Sequence, residues 1–516
     1  MSATTTLGTA PGPEGARPAE PGLGRKIASG AAAMVLARLV ARCISVVSTL
    51  ILVRLLLPED FGVVALAAVA FVVVDTMTAT GFGVVLVRRA AVDRDLYDTA
   101  WTMNLIRCVL LGGIVAATAD LQASLLGDAR IAPVLLVVAL TVTLDGLVSI
   151  GMTRLQREMR FDLILRYQIT SKLLSFALTI LLAVILQSYW CLVLGNLIAK
   201  LILIPFSYYL APHRPRFALV HWRELLNFSK WMFVINICSA ADGQGPNLVL
   251  GRAIGVEAVG FYNIAYQIAA VPVTELAAPV RTPIYAGYAQ VLHDRAALRQ
   301  QFLDGFSLLC AVLVPLSVGI ALVAPEIEQL ALGPVWRGAD VLIALCAMYA
   351  LVDSMAHFTF NVFLVLDRQR SFAAVFVALV ILRVPAIIAA ALLAGTAGVL
   401  ATMLATGLLN ALIWHLQTGR MLGHGLSDVG ARAWRSFAAA VAMTCAVLLV
   451  RQAWPQGSET SGDAVLHLSV VVAVGAAVHL STQLGLWRLA GSPAGPERTL
   501  IDFAAASFRR LRRARA

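Results

Sequence analysis

The chain has 516 residues, of which 59% are hydrophobic and only 13% are charged. Soluble domains carry about 25% charged residues, so this composition excludes an ordinary soluble protein and predicts a membrane protein. The net charge is +11. Because the basic residues lie in loops between apolar segments, they indicate an orientation in the membrane, and no nucleic-acid partner is expected.

Apolar segments long enough to cross a bilayer follow one another along most of the chain. Residues 1–26, rich in Pro, Gly, Ala and Thr, are predicted to form a disordered cytoplasmic tail. A transmembrane helix needs about 20 apolar residues. By that measure the spans lie near 31–56, 61–87, 96–118, 132–152, 162–186, 189–211, 226–250, 257–280, 301–324, 339–366, 371–394, 397–418, 433–450 and 464–487. The expected fold is all-α, with about fourteen transmembrane helices.

The charges of the loops predict which side of the membrane each loop occupies. If the N-terminus is cytoplasmic, the cytoplasmic segments hold 26 basic residues and the external loops hold five. Cytoplasmic loops of membrane proteins are enriched in Lys and Arg. This unequal distribution of basic residues therefore predicts cytoplasmic N- and C-termini and an even number of helices.

A short motif recurs 198 residues apart. Residues 54–62 and 252–260 both follow the pattern R-x4-E-x2-G, and both lie in the short external connection of a predicted hairpin. Six spans separate the copies, which predicts parallel repeats related by an axis along the membrane normal. The predicted organisation is an N-terminal lobe at 27–211, a C-terminal lobe at 212–420, two additional transmembrane helices at 421–490 and a basic amphipathic cytoplasmic tail at 491–516.

Several predicted spans carry polar side chains on one helical face. Residues spaced i, i+4, i+7 and i+11 share a face, and charged residues at membrane depth usually face a bundle interior or a wet cavity. The stripes are Arg38, Arg42, Ser45 and Thr49; Thr141, Asp145 and Ser149; Gln168, Lys172, Ser175 and Thr179; Asn196 and Lys200; Tyr349, Asp353, His357 and Asn361; Thr402, Thr406 and Asn410. Because both halves contribute, we expect a water-filled cavity between two helix bundles.

The charged residues inside the spans are mostly basic, with seven bases against five acids. This surplus favours an anionic substrate, since Arg and Lys hold a diphosphate by charge-assisted hydrogen bonds. The candidate substrate-binding residues are Arg38, Arg42, Arg107, Arg166, Lys172 and Lys200. Arg38 and Arg166, near span ends, can instead snorkel to the interface. The alternative for the deeper Arg42, Lys172 and Lys200 is a structural ion pair with an acid of span 2 or span 4.

Five titratable residues are candidates for ion coupling or gating. They are Asp75, Asp145, Asp242, Asp353 and His357. Asp353 and His357 are one helical turn apart, a spacing suited to proton handling and also to a polar contact between helices. Asp242 opens the run Asp-Gly-Gln-Gly-Pro-Asn, whose Gly and Pro residues predict a break or bend in span 7. A discontinuous helix there would be a moving gate or ion site, and a bent one a static kink.

The sequence shows no cysteine pattern or nucleotide-binding motif that would indicate a further functional site. The seven cysteines lie singly inside apolar segments, so neither a metal site nor a disulfide framework is predicted. The sequence has no P-loop, which argues against ATP-driven pumping. No catalytic residue and no cofactor is predicted.

Several motifs carry a resemblance to a known family. Arg54-Leu55-Leu56-Leu57-Pro58-Glu59-Asp60-Phe61-Gly62 resembles a hallmark of polysaccharide flippases. The matches that follow in order are Gly81-Phe82-Gly83, Leu155-Gln156-Arg157-Glu158-Met159-Arg160-Phe161, Leu250-Gly251-Arg252 with Gly260-Phe261-Tyr262, and Leu332-Gly333-Pro334-Val335-Trp336. The resemblance spans roughly residues 30–420. It is to the O-antigen, lipopolysaccharide and colanic-acid-exporter-like branch of the multidrug/oligosaccharidyl-lipid/polysaccharide exporter superfamily.

The resemblance implies two six-helix bundles in a V shape, with two extra peripheral helices and transport by alternating access. The implied cargo is an undecaprenyl-diphosphate-linked oligosaccharide, flipped from the cytoplasmic to the periplasmic leaflet of a bacterial inner membrane. A gradient of H⁺ or Na⁺ is the candidate driving force, and other polysaccharide assembly proteins are candidate partners. Basic cavity residues would hold the anionic head group, and Arg38, Arg42, Lys172 and Lys200 match such residues by location rather than by motif.

Two other functions compete with this interpretation. A cation-coupled multidrug antiporter of the same superfamily should have an acid-dominated cavity, whereas this one is basic. A membrane-embedded glycan polymerase or ligase usually needs acids or histidines on a sizeable external loop, and the loop that carries Glu59 and Asp60 is only a few residues long. Asp60 is also suited to capping a helix that begins at Phe61.

Overall fold

The computed structural model of the chain describes residues 40–78, 94–158, 160–220, 230–277, 287–288, 291–454, 461–492, 495 and 497–498. Some predictions fall outside these residues. They concern Arg38, the glycines of residues 81–83, the N-terminal tail and the amphipathic character of the C-terminal tail.

The described residues of the N-terminal part of the chain form eight helices. They are α1 (40–55), α2 (Pro58–Thr78), α3 (Arg94–Ala117), α4 (Ala119–Leu126), α5 (Ile131–Asp145), α6 (Gly151–Arg157), α7 (Phe161–Leu186) and α8 (Trp190–Leu210). Helix α2 begins at Pro58, where a missing N–H costs nothing. The Asp60 carboxylate accepts hydrogen bonds from the backbone N–H groups of Leu57 and Tyr189, each at 2.9 Å. Asp60 thus supports a helix start, although the helix begins before Phe61.

The helices of the C-terminal part follow a similar order, and the last two are additional. This part contains α9 (Lys230–Ala253), α10 (Val256–Ala269), α11 (Arg295–Leu322), α12 (Ala324–Ile327), α13 (Ala339–Phe358), α14 (Phe360–Val365), α15 (Gln369–Leu422), α16 (Leu426–Ala453) and α17 (Ser461–Leu489). Asp294 caps α11 by accepting hydrogen bonds from the backbone N–H groups of Ala296 and Ala297.

Helix α15 is 54 residues long and is kinked at Gly395, whose φ is 62° and ψ is −154°. This region of backbone conformation is open mainly to glycine. The kink divides α15 into two helical arms, which correspond to the predicted spans 371–394 and 397–418.

All secondary structure in the described residues is helical, which confirms the all-α prediction. Among these residues, eight helices are long and apolar enough to cross a membrane, and α15 is one of them. Five more predicted spans coincide with α1, α2, α5, α9 and α10. With the two arms of α15, the helices are consistent with about fourteen crossings.

Two predicted spans extend beyond the helices observed. Span 4 was expected at 132–152, but α5 ends at Asp145. Span 8 was expected at 257–280, but α10 ends at Ala269 and a π-helical turn follows at Val273–Ala277.

Span 7 was predicted to break or bend, and the break is wrong, because α9 continues through Pro246. A proline inside a helix removes one backbone donor, here the partner of the Asp242 carbonyl. Helix α9 packs against α2, α10 and α15, and this packing holds the helical path across the missing bond.

The two ends of the molecule differ in character. We call the end that carries residues 54–62 and 252–260 the motif end. We call the opposite end, where α3 and α11 begin at Arg94 and Arg295, the basic end. A large hydrophobic cluster joins both halves of the chain, with Val53 and Val63 from the first and Leu250 and Trp336 from the second. The two lobes are therefore in close contact at the motif end.

Candidate functional site

The two copies of the repeated motif contact each other across the lobe interface. A Cβ atom on Gly62 would lie 1.9 Å from the carbonyl oxygen of Val256, and one on Gly260 would lie 1.9 Å from that of Pro58. Pro58 and Val256, like Gly62 and Gly260, are 198 residues apart. The contact is therefore reciprocal, as expected of repeats related by a twofold axis. Only glycine allows the backbones of α2 and α10 to approach this closely.

Two side chains reinforce this contact. Arg54 donates a hydrogen bond to the carbonyl oxygen of Ala331 at 3.0 Å and a second to that of Leu330. The Trp336 indole N–H donates to the carbonyl oxygen of Val53 at 3.1 Å. Its ring lies edge-on to Phe261, with 5.2 Å between centroids. These contacts close the motif end, and we call them, together with the reciprocal glycine contact, the motif-end gate.

Glu59 of the first motif is held within its own lobe. Arg130 donates to Glu59 at 3.0 Å and to Asp128 at 2.7 Å. The Arg130 guanidinium keeps the pKa of the Asp128 carboxyl below its usual range, because hydrogen bonding stabilises the charged form. A carboxylate paired in this way has a structural role, which weakens the interpretation of Glu59 as a catalytic acid.

Below the gate, a polar bridge links the lobes near mid-membrane. Arg42 of α1 lies 3.5 Å from the carboxylate of Glu275 and donates to the backbone carbonyl of Gln267 at 3.3 Å. Thr49, two turns along the same face of α1, donates to the side chain of Gln267 at 3.3 Å. The side chains of Arg42 and Glu275 keep 23% and 21% exposure, so the bridge is accessible rather than packed into apolar core.

The N-terminal lobe holds two further ion pairs at membrane depth. Arg107 donates to Asp75 at 2.8 Å, and the Lys200 ammonium group pairs with the carboxylate of Asp145. Asp75 and Asp145 keep 41% and 40% side-chain exposure. Charges that remain accessible at this depth are typical of a wet cavity.

Helix α7 carries the other two candidate bases. Arg166 and Lys172 are both exposed, and neither is recorded in a hydrogen bond or ion pair with another described residue. A base without a neighbouring carboxylate keeps its full charge available to an anion.

The C-terminal lobe contains a series of polar side chains in contact, which begins at a buried ion pair. Arg383 donates to Asp242 at 2.6 Å, with side-chain exposures of only 6% and 11%. Its guanidinium carbon lies 5.0 Å from the ring centre of Tyr349, a cation–π geometry. The Tyr349 hydroxyl contacts Asp353 at 3.5 Å, and His357 lies 3.4 Å from the same carboxylate. This series of side chains thus extends from a desolvated ion pair to the more exposed His357.

The predicted site residues therefore fall into separate groups rather than one cluster. Lys200 pairs with Asp145, as the ion-pair interpretation required, while Arg42 pairs with Glu275 and not with an acid of span 2 or span 4. Lys172 has joined no such pair among the described residues. Whether these groups bind substrate stays a prediction.

Sequence reasoning missed three partners. Glu275 and Gln267 were not proposed for the site, and Arg383 was not placed. Glu275 and Arg383 are ionisable residues at membrane depth, and this property was the sequence signal that could have identified them. The partners were not identifiable because they are distant in sequence, with 225 residues between Arg42 and Gln267 and 141 between Arg383 and Asp242.

Two proteins with similar sequences are named for polysaccharide biosynthesis. The chain is 22% identical over 395 residues to the lipopolysaccharide biosynthesis protein WzxC of Escherichia coli K12, covering 76% of this chain and 80% of WzxC. It is 24% identical over 300 residues to the succinoglycan biosynthesis transport protein ExoT of Rhizobium meliloti 1021, covering 58% of this chain and 61% of ExoT.

Solved structures of flippases and exporters share the fold. The lipid II flippase MurJ in an inward closed conformation matches 89% of this chain and 98% of its own, with a TM-score of 0.67 at 12% identity. An inward-facing multidrug transporter of the MATE family matches 76% of this chain and 95% of its own, with a TM-score of 0.51 at 16% identity. At these identities the likeness concerns the fold alone, and it supports two packed bundles.

A family model described as polysaccharide biosynthesis protein matches residues 51–340. This range includes both copies of the repeated motif, Gln267 and Glu275 of the polar bridge, and the loop that carries Trp336. With its apolar helices, the chain is an integral membrane protein, and because the match covers more than half of its length, it belongs to the polysaccharide biosynthesis protein family.

Proposed function

We propose that this protein is a flippase for a lipid-linked oligosaccharide, carried as an undecaprenyl diphosphate from the cytoplasmic to the periplasmic leaflet of a bacterial inner membrane. The observation that carries the proposal is the closed motif-end gate above accessible charged side chains at membrane depth. The excess of basic residues suits an anionic head group. The names of WzxC, ExoT and MurJ support the same class of cargo.

The head group would bind through Arg42, Lys172 and Lys200. Lys172 offers an accessible ammonium group, whereas Arg42 and Lys200 are paired with carboxylates in this conformation. A diphosphate carries more charge than either carboxylate and presents several acceptor oxygens. The diphosphate would therefore compete with these carboxylates for Arg42 and Lys200. Loss of the Arg42–Glu275 ion pair would then break this contact between the lobes and allow them to separate. Substrate binding and opening of the polar bridge are linked in this scheme.

Orientation follows from the charge of the two ends. Basic loops favour the cytoplasm, so the basic end and both termini would lie there and the motif-end gate would face the periplasm. Alternating access would then require the gate contacts to part as the basic end closes. The candidates for coupling to H⁺ or Na⁺ are the Asp242–Arg383 pair and the Asp353–His357 pair.

A multidrug antiporter of the same fold is the competing function. Its cationic substrates would be attracted to accessible acids, and Asp75 and Asp145 are accessible here. Each of them is paired with a base, however, and Lys172 adds an uncompensated positive charge. This balance favours the anionic cargo.

The direct test is the sidedness of the lipid-linked oligosaccharide in a host that lacks this protein. A membrane-impermeant lectin or glycosidase, applied to vesicles of known orientation, reports which leaflet holds the glycan. We expect accumulation on the cytoplasmic leaflet, and transfer when the protein is restored. Unchanged sidedness in the presence of lipid-linked glycan would refute the proposed function.

The triple variant Arg42→Ala, Lys172→Ala, Lys200→Ala is expected to reduce flipping at least about a hundredfold. Each charge-assisted hydrogen bond contributes about 1.5–3 kcal/mol, and about 1.4 kcal/mol corresponds to a factor of ten. The measurement is the initial rate of glycan transfer in vesicles with matched protein levels. Intact transport in this variant would remove these residues from the pathway.

A charge swap separates substrate binding from structural pairing at Lys200. In the double variant Asp145→Lys, Lys200→Asp the ion pair is retained with its direction reversed. If the only role of Lys200 is to form a structural ion pair, the double variant should be more stable and transport faster than Lys200→Asp alone. We expect stability to recover and transport to stay low, because the base has moved from α8 to α5.

A further inference from the structure

Each lobe contains a basic cavity at the basic end, away from the polar bridge. In the C-terminal lobe, a cavity of about 710 Å³ lies between the start of α11, the end of α15 and the start of α16. Its charged lining consists of Arg295, Arg299, Arg432 and Asp428. Three bases and one acid therefore line this cavity.

The bases of this cavity differ in how they are paired. Arg299 donates to Asp428 at 2.8 Å, and Arg432 donates to Asp304 at 2.5 Å. Arg295 instead donates to the backbone carbonyl of Arg420 at 3.1 Å, with no ion pair recorded to a described residue. A guanidinium presents five N–H donors, so Arg295 has both its charge and most of its donors available.

The N-terminal lobe has an equivalent cavity. It measures about 680 Å³, and its lining includes Arg94, Arg154, Arg214 and Glu158. Arg94, at the start of α3, donates to the backbone carbonyl of Arg214 at 3.3 Å, just as Arg295 at the start of α11 donates to that of Arg420. Arg94 also lies 3.7 Å from the carboxylate of Asp98, and Arg154 donates to Glu158 at 2.6 Å. In each cavity, therefore, two of the three bases are paired with carboxylates, and the third, Arg295 or Arg214, has no ion pair to a described residue.

This arrangement goes beyond what orientation in the membrane requires. Cytoplasmic basic residues set topology by their number alone and need not converge on a cavity. Here they converge twice, in equivalent positions of the two repeats. Exposed apolar side chains lie close by in sequence, with Leu292 and Leu426 beside the first cavity and Phe217 beside the second. A ligand that carries both a negative head and apolar tails fits such a site.

We propose that each of these two cavities binds the phosphate head group of one anionic phospholipid from the leaflet at the basic end. Basic pockets between transmembrane helices are suited to such head groups, and the guanidinium fork matches phosphate geometry. The lipids would be resident and not transported, since both cavities lie at the ends of α3 and α11 and not at the lobe interface. They would anchor the starts of these helices while the lobes move.

The test is native mass spectrometry of the purified full-length protein, titrated with phosphatidylglycerol and, separately, with phosphatidylcholine. The wild type should retain two phosphatidylglycerol molecules and bind phosphatidylcholine only weakly. Arg295→Gln and Arg94→Gln should each lose one tightly bound lipid, with an affinity about tenfold lower at the altered site. The double variant should retain none.

The matched control is Arg368→Gln, which removes an exposed arginine of the same charge at the start of α15, outside both cavities. It should leave two lipids bound. Equal loss in this control would show general surface attraction and overturn the proposal. Displacement of phosphatidylglycerol by inorganic phosphate at similar concentration would also overturn it, because the site would then not recognise a lipid. Because Arg94 and Arg295 are exposed, unaltered thermal unfolding of the variants is expected and would exclude misfolding.

Discussion

Replacing Gly62 with alanine is expected to abolish most of the transport by preventing closure of the motif-end gate. The added Cβ would lie 1.9 Å from the carbonyl oxygen of Val256, and relief of this clash requires α2 to move away from α10. Overpacking costs about 1–3 kcal/mol, and about 1.4 kcal/mol changes an equilibrium tenfold. The fraction of molecules with a closed gate should therefore fall about tenfold or more. Gly260→Ala should act in the same way against Pro58.

Accessibility of Thr49 measures this change. Thr49 lies below the gate, hydrogen-bonded to Gln267, and a Thr49→Cys reporter can be placed in a chain whose exposed Cys43 and Cys445 are replaced by serine. A membrane-impermeant maleimide applied from the periplasmic side should label the reporter about tenfold faster in the Gly62→Ala protein.

Gly113→Ala is the matched control, because a Cβ there meets no atom within 4 Å. It should alter neither labelling nor transport. A Gly62→Ala protein with wild-type labelling and transport would show that the reciprocal glycine contact is not part of the gate.

Replacing Arg383 with leucine is expected to destabilise the protein by about 3–5 kcal/mol, since removing one partner of a buried pair leaves an uncompensated charge. The remaining group is the Asp242 carboxylate, whose side chain is 11% exposed. The measurement is thermal unfolding of the detergent-solubilised protein, for which this loss should appear as a large fall in Tm.

The double variant Asp242→Leu, Arg383→Leu should recover most of this stability, because apolar replacement of an entire buried pair is often neutral. If the pair is only structural, the double variant should also transport. If it couples an ion gradient, the protein should be stable but inactive in gradient-driven flipping. A single variant as stable as wild type would contradict the desolvated pair described above.

The all-helical fold and the positions of most spans could be predicted from sequence because they depend on local properties. Hydropathy over about 20 residues identifies a span without knowledge of its neighbours, and the basic loops order the spans by side. The repeated R-x4-E-x2-G motif at residues 54 and 252 likewise revealed the two halves. At Pro246 the residue types predicted a break or a bend, but the helix is not broken there, and α2 and α15 pack against it.

The partners of the charged residues were decided by tertiary structure alone. A stripe such as Arg42 to Thr49 shows that one face of α1 is polar, but not that Gln267 and Glu275 of the other lobe complete it. Similarly, the sequence around Arg383 offers no nearby acid, and only folding brings it to Asp242. The sequence determines which residues need a polar environment, because burial of an unpaired charge is costly everywhere. Which partner provides that environment depends on contacts between distant segments, and only the packing of the two lobes establishes them.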